Sequence, residues 1–363
     1  MRVKLLPISA LLLATCASAQ TRQLYPFFDE NHKWGYLDKR GEVAIPAQFD
    51  FASVFHDGLA QVRKGGSGGF IDTAGKTAID LGRRGATDFS EDRAAVRAPG
   101  TEGRYGFIDT HGRATVPHEY IIAREYSEGV ASVCTGTSMI RTAVNRKCFY
   151  IDLNGAKAFE AEFEGAGSFH EGRAWVYVGK KYGFIDHRGV LVIEPRFMSR
   201  SDFSEGLAAV EVKCPDRKGN CMGYIDKMGN MAIPARFRAG RPFSEGLAAV
   251  RESAQFGYID KSGEYAIPSS FLGAQRFSLG LAAVQTAEKK WGYIDHSGAL
   301  GIPARFENVG DFFGDGLAGI ALKPKPPSSG GGIVGRSHGG ALWSGYVDRS
   351  GKIVWKAPGE YVE

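Results

Sequence analysis

Phe256-Gly257-Tyr258-Ile259-Asp260-Lys261-Ser262-Gly263 is a short β-rich run closed by a reverse turn, and its turn decides the fold class. An Asp-x-x-Gly after an aromatic-aliphatic pair occurs nine times, with its Asp at Asp38, Asp72, Asp109, Asp152, Asp186, Asp226, Asp260, Asp295 and Asp348. Asp at the first turn position bonds the backbone, and Gly suits the fourth. Upstream, Leu247-Ala248-Ala249-Val250-Arg251 reads as another strand, and Glu264 to Ile267 returns as a third, ended by Pro268 because proline cannot donate to a ladder. Each unit holds three firm strands and room for a short fourth. Apolar residues fall on both faces of these strands, so one unit alone would be unstable and its neighbours must cover it.

A second motif, Phe203-Ser204-Glu205-Gly206-Leu207-Ala208, recurs at Phe243 to Ala248 and in degraded form elsewhere. From each turn Asp to the glycine position of the next copy the step is 20 residues in seven cases and 21 in the eighth. The return step varies from 14 to 32 residues. A fixed arc is what packing between neighbours demands, whereas outside loops tolerate insertion. One rim therefore varies and the body does not. A third segment, Ile-Pro-x-x-Phe as at Ile267 to Phe271, is lost after Asp72 and after Asp152, which marks those two units as the least regular.

Together with Trp34-Gly35-Tyr36-Leu37-Asp38 and Trp291-Gly292-Tyr293-Ile294-Asp295, these motifs resemble the WG-repeat family of bacterial proteins over about residues 24 to 358. Phe149 takes the glycine's place in the fourth copy. The resemblance implies a β-strand repeat with a scaffold or binding role, and it supplies no catalytic residues. The expected fold is all-β, an array of nine three- to four-stranded units. An open superhelical stack is favoured over a closed propeller-like ring, because nine exceeds the ~4 to 8 blades usual in propellers and neither end offers a spare strand to close one.

The N-terminus reads as a secretory signal over residues 1–19: Arg2 and Lys4, an apolar run, then Ala17-Ser18-Ala19. A lipoprotein signal is the alternative, with a lipid anchor on Cys16, although Thr15 stands where a smaller residue is usual. Residues 20–363 then form one β domain. The formal charge of +5 is too small to suggest a nucleic-acid partner. Cys134 with Cys148, and Cys214 with Cys221, bracket two of the long return steps and read as two local disulfides suited to an oxidising compartment. Their spacing, with no His beside either pair, speaks against zinc.

The repeated aspartates read as turn caps, since no acidic cluster surrounds them to hold a cation. Glu128, Glu171, Glu205 and Glu245 recur before the second motif's glycine and read as turn or inter-unit contacts, and His111, His187 and His296 as solvated turn residues. No metal, cofactor or enzyme constellation emerges. The longest return step, residues 322–344, is Pro-rich and then Gly-rich, which makes a stiff stem with a mobile tip. It carries the partner-binding candidates Lys323, Lys325, Arg336, His338 and Trp343. The expected function is an exported, non-catalytic scaffold that binds a protein through one variable rim, with glycan or envelope binding as the alternative.

Overall fold

The computed structural model describes residues 23–98, 103–139, 142–214, 218–314, 316–324, 343–359 and 361–362. Its unit is an antiparallel sheet whose strands follow chain order. In the seventh unit Ala239–Gly240, Ala248–Arg251, Phe256–Ile259 and Tyr265–Phe271 pair in sequence. The described residues form nine such sheets and one two-stranded ladder. We number the sheets as blades: 25–49, 51–82, 86–120, 122–163, 165–197, 199–237, 239–271, 273–306 and 308–356.

In the four-stranded blades the small-residue strand, such as Ala248–Arg251, and the following aromatic strand form the middle, and both faces are covered by neighbouring blades. Tyr36, Phe70, Phe107, Tyr150, Phe184, Tyr224, Tyr258, Tyr293 and Tyr346 are at most 1% exposed. Such phenols need an acceptor when buried. Tyr36, Tyr150, Tyr224, Tyr258 and Tyr293 each donate to a backbone carbonyl 17 residues on, in the next blade. Burial raises the pKa of these five phenols well above the ordinary tyrosine value.

The fourth strand does not stop at its proline. Tyr265–Phe271 runs through Pro268, and the ladder to Phe256–Ile259 skips register there, so the proline sits in a bulge where no donor is required. The bulge brings backbone close to the motif glycine: a Cβ on Gly257 would lie 2.7 Å from the Ile267 carbonyl oxygen, and one on Gly292 2.6 Å from that of Ile302. Only glycine leaves that space. In blade 4 the position is Phe149, and the sheet there has three strands and no regular fourth. Isolated bridges at Lys157 and Phe163 replace it. The irregularity expected of that unit is present. Blade 2 is regular instead, because Thr77–Gly82 forms a full fourth strand without the Ile-Pro segment.

The expected open stack is corrected to a closed ring of nine blades, a β-propeller. In every interface the turn glycine of one blade sits on the fourth-strand side of the blade before it. A Cβ on Gly75 would meet Ile45 at 3.0 Å, on Gly263 Ile233 at 2.9 Å and on Gly298 Ile267 at 2.9 Å. Gly41 of blade 1 stands in the same relation to blade 9, where its Cβ would meet the Val354 carbonyl at 2.2 Å. Tyr346 donates to the Pro26 carbonyl at 2.6 Å, and Tyr25 to that of Phe313 at 3.2 Å. Tyr25, Phe27, Leu37, Leu317 and Tyr346 form one core cluster between the two ends of the chain. Among the described residues no strand is exchanged between the two ends. Closure is by apolar faces, which an open stack would leave in water at both ends.

Candidate functional site

The Asp-x-x-Gly turns of all nine blades and the Ser-Glu-Gly turns or their counterparts in blades 2 to 9 lie at one end of the strands, and the hairpins of variable length lie at the other. The two ends give the ring two chemically distinct faces.

On the turn face, the repeated polar groups are used internally. Asp260 accepts from the amides of Ser262 at 2.9 Å and Glu264 at 3.2 Å, and Gly263 adopts φ +89°. Ser204 and Leu207 exchange both backbone hydrogen bonds around Glu205 and Gly206, each with positive φ, as a two-residue I′ hairpin requires. Positive φ is costly for glutamate. Its carboxylate accepts the Gly246 amide of the next blade at 3.0 Å and faces Lys261 at 3.2 Å. Glu128 holds Gly172 and His187, Glu171 holds Gly206 and Lys227, and Glu245 holds Gly280 and His296 in the same way. The glutamates are inter-blade contacts, as the sequence suggests. His187 and His296 are more than solvated turn residues, since their rings stack on Phe169 at 4.1 Å and Phe277 at 4.3 Å.

The other face carries the hairpins of unequal length. Cys134 and Cys148 are cross-strand partners joined as a disulfide at the base of one, and Cys214 and Cys221 are joined at another. These disulfides suggest an oxidising, extracytoplasmic environment. Lys323–Pro324 pairs with Tyr361–Val362, so the start of the longest insertion is held by the chain's C-terminal strand. Trp343 packs inward: Cβ atoms on Gly319 and Gly310 would meet its ring at 2.5 and 3.1 Å. It is a packing residue for blade 9. Lys325, Arg336 and His338 lie outside the described residues, as do Cys16 and the 1–19 segment.

Between blades 4, 5 and 6 this face contains a cavity of about 310 Å³. Arg124, Arg146, Arg200, Trp175, Tyr177 and Tyr182 supply its side-chain chemistry, beside the Cys134–Cys148 disulfide. Trp175 occupies the middle of a strand where other blades place Ala95, Ala209, Ala249 or Ala283. Gly167 makes room for it, because a Cβ there would meet Trp175 Nε1 at 2.0 Å. Arg200 likewise stands where other blades have Ala52, Ala123, Ala166 or Ala274. Its guanidinium carbon lies 4.0 Å from the Trp175 ring centre and 5.3 Å from that of Tyr182, and Arg124 lies 5.3 Å from Trp175. Motif counting passes over this cluster. Two small-to-large departures, one in the second strand of blade 5 and one in the first strand of blade 6, were the available signal.

Among the described residues no three His, Cys, Asp or Glu side chains are grouped to hold a metal ion, and no helix is long and apolar enough to cross a membrane.

The profile of a family described as WG containing repeat matches residues 34–67, 105–136, 149–182, 182–213, 222–253, 256–289 and 291–322, more than half of the chain. No curated protein matches it in sequence. Among solved structures, the crystal structure of a eukaryotic initiation factor superposes with a TM-score of 0.55 at 11% identity, covering 85% of this chain and 91% of that one. BamB from Moraxella catarrhalis gives 0.43 at 11% identity, over 83% and 93% of the two chains. Apo AztD from Citrobacter koseri gives 0.41 at 14%, over 76% and 92%. The first likeness is one of fold alone, and it accords with the closed ring.

Proposed function

The chain belongs to the WG-repeat family, and on that premise we propose that it is an exported, non-catalytic propeller scaffold that captures a protein partner on the face bearing the variable hairpins. The observation that carries this reading is the asymmetry of the two faces. On the turn face the recurrent aspartates cap their own turns and the recurrent glutamates bind the next blade. On the hairpin face lengths vary, two disulfides brace the insertions, and the departures from the repeat concentrate there. Function tends to sit on loops held by a rigid body. The disulfides and the Arg2 to Ala19 segment support export. A glycan site would need a row of open aromatic rings, and the repeated aromatics of the third strands are buried.

Photo-crosslinking tests this. A crosslinkable residue at exposed Lys180, Ser253 or Glu288 on the hairpin face should give discrete protein adducts in a cell-envelope extract. The same residue at Met228 or Ser262 on the turn face should not. Adducts confined to the turn face would overturn the assignment.

A further inference from the structure

We propose that the cavity between blades 4, 5 and 6 is a binding site for a small oxyanion, a phosphate or carboxylate, carried on a planar ring. The inference rests on that cavity alone and is independent of the partner reading.

Three guanidinium groups surround about 310 Å³, and none of the described residues that line the space is a carboxylate. Arg124 and Arg146 are held in place through Nε, which donates to the Ala166 carbonyl at 3.0 Å and the Glu164 carbonyl at 2.6 Å. Those carbonyls take no net charge from the arginines. Arg200 Nε is buried with no hydrogen-bond partner among the described residues. Two acids of the surrounding blades have other partners as well: Glu164 accepts the Gly179 amide at 3.0 Å, and Asp202 lies 3.7 Å from His170. Burial draws the Arg200 guanidinium below the ordinary arginine value, and nearby Arg124 pulls the same way, against opposing influence from Asp202 and Tyr182. Like charges gathered at a partly shielded site are unfavourable even with Asp202 nearby, and a bound anion lowers the cost.

The aromatic rings define the rest of the ligand. Trp175 and Tyr182 meet edge to face at 5.7 Å, and Tyr177 stands 4.9 Å from Tyr182. Arg200 lies against Trp175, so its planar fork has a fixed orientation from which to meet a two-oxygen head group. The Arg124 anchor has a counterpart in blade 7, where Arg241 Nε donates to Ala274 at 2.9 Å. Blade 8 follows it with Ala274 where blade 5 has Ala166, but with Ala283 where blade 5 has Trp175. The charged cavity lies where Trp175 and Arg200 replace small residues.

Calorimetric titration of the full mature chain with phenyl phosphate, benzoate, inorganic phosphate and an end-capped Gly-Asp-Gly peptide tests the site. Phenyl phosphate or benzoate should bind saturably, and Arg200→Ala, which restores the residue of other blades, should weaken binding by ~10-fold or more. Trp175→Ala should weaken phenyl phosphate more than inorganic phosphate. Arg241→Ala, in the counterpart position, should leave binding unchanged. Preference for the peptide over the ring compounds would place the oxyanion on an acidic protein side chain and overturn the ring. Absence of saturable binding by every probe at ~10 mM, a concentration at which even ~4 kcal/mol of binding energy would register, or equal affinity in Arg200→Ala, would overturn the site itself. Should Arg200→Ala fail to fold, Arg146→Gln on the inserted hairpin supplies the same comparison.

Discussion

At the scale of the residue, the motif glycine is explained by what stands opposite it. Gly35, Gly183, Gly223, Gly257 and Gly292 all face the bulged fourth strand at distances a Cβ cannot occupy. Gly257→Ala forces either the bulge or the ladder to move, and overpacking of this kind costs about 1–3 kcal/mol. Gly85→Ala is the control, since nothing lies within 4 Å of its Cβ position. Thermal unfolding should show a clear loss for the first and little change or a slight gain for the second; equal midpoints would refute the steric reading. The sequence displays this glycine and also its one replacement, Phe149, without displaying the reason for either. That reason is a backbone approach across two strands, and residue spacing carries no record of it. The Asp-x-x-Gly turns were legible because their chemistry is local: the Asp carboxylate bonds amides two and four residues on.

At the scale of the element, the Ser-Glu-Gly hairpin is a connector as well as a turn. Ser204 and Ser244 donate to the Phe243 and Phe277 carbonyls of the following blades, each at 2.7 Å, while the neighbouring glutamates hold the next glycine amide. The recurrence of the motif was readable, and so was its use between units. The partners were not, because a contact 33 to 44 residues away leaves no periodic trace beyond the fixed step. Glu171 shows how the clasp responds to acid. Burial raises its pKa, but amide bonds from Gly206 and Glu205 and the Lys227 ammonium outweigh that, so it titrates below the ordinary value near 4.5. A carboxylate whose folded pKa is depressed contributes stability above the unfolded value and loses it as pH falls through the folded one. Glu171→Gln should therefore lower the unfolding midpoint near neutral pH and show a smaller deficit against wild type in strong acid. A deficit that stays constant from neutral pH through the acid range would rule out the charged clasp. The group is partly exposed, so the effect will be modest and will shrink with salt.

At the scale of the whole molecule, the number of units could be read from nine turns, whereas closure could not. A fixed arc between units is needed equally by a stack and by a ring; what separates them is the small rotation per unit and whether the first and last faces match. Here they match through aromatic packing. Tyr25 meets Phe313 at 4.9 Å and Tyr346 at 5.6 Å, and Phe27 meets Trp355 at 5.3 Å. The absence of a spare strand misleads because face-to-face burial can join the ends without one. Removing residues 23–50 takes away blade 1 and uncovers Leu317 and Tyr346, now 2% and 1% exposed, together with the blade 2 residues that pack on Phe49. Two apolar faces would then be open in one molecule, each suited to the other, which favours pairing between copies or local unfolding at both ends. Light scattering should show concentration-dependent association of the truncated chain, and hydrogen exchange should show lost protection in Leu317–Ala321 and Gly345–Asp348 before the middle blades. A truncated chain that stays monomeric, with those strands as protected as in the intact protein, would mean that the first blade is an appendage and that the ring does not depend on it.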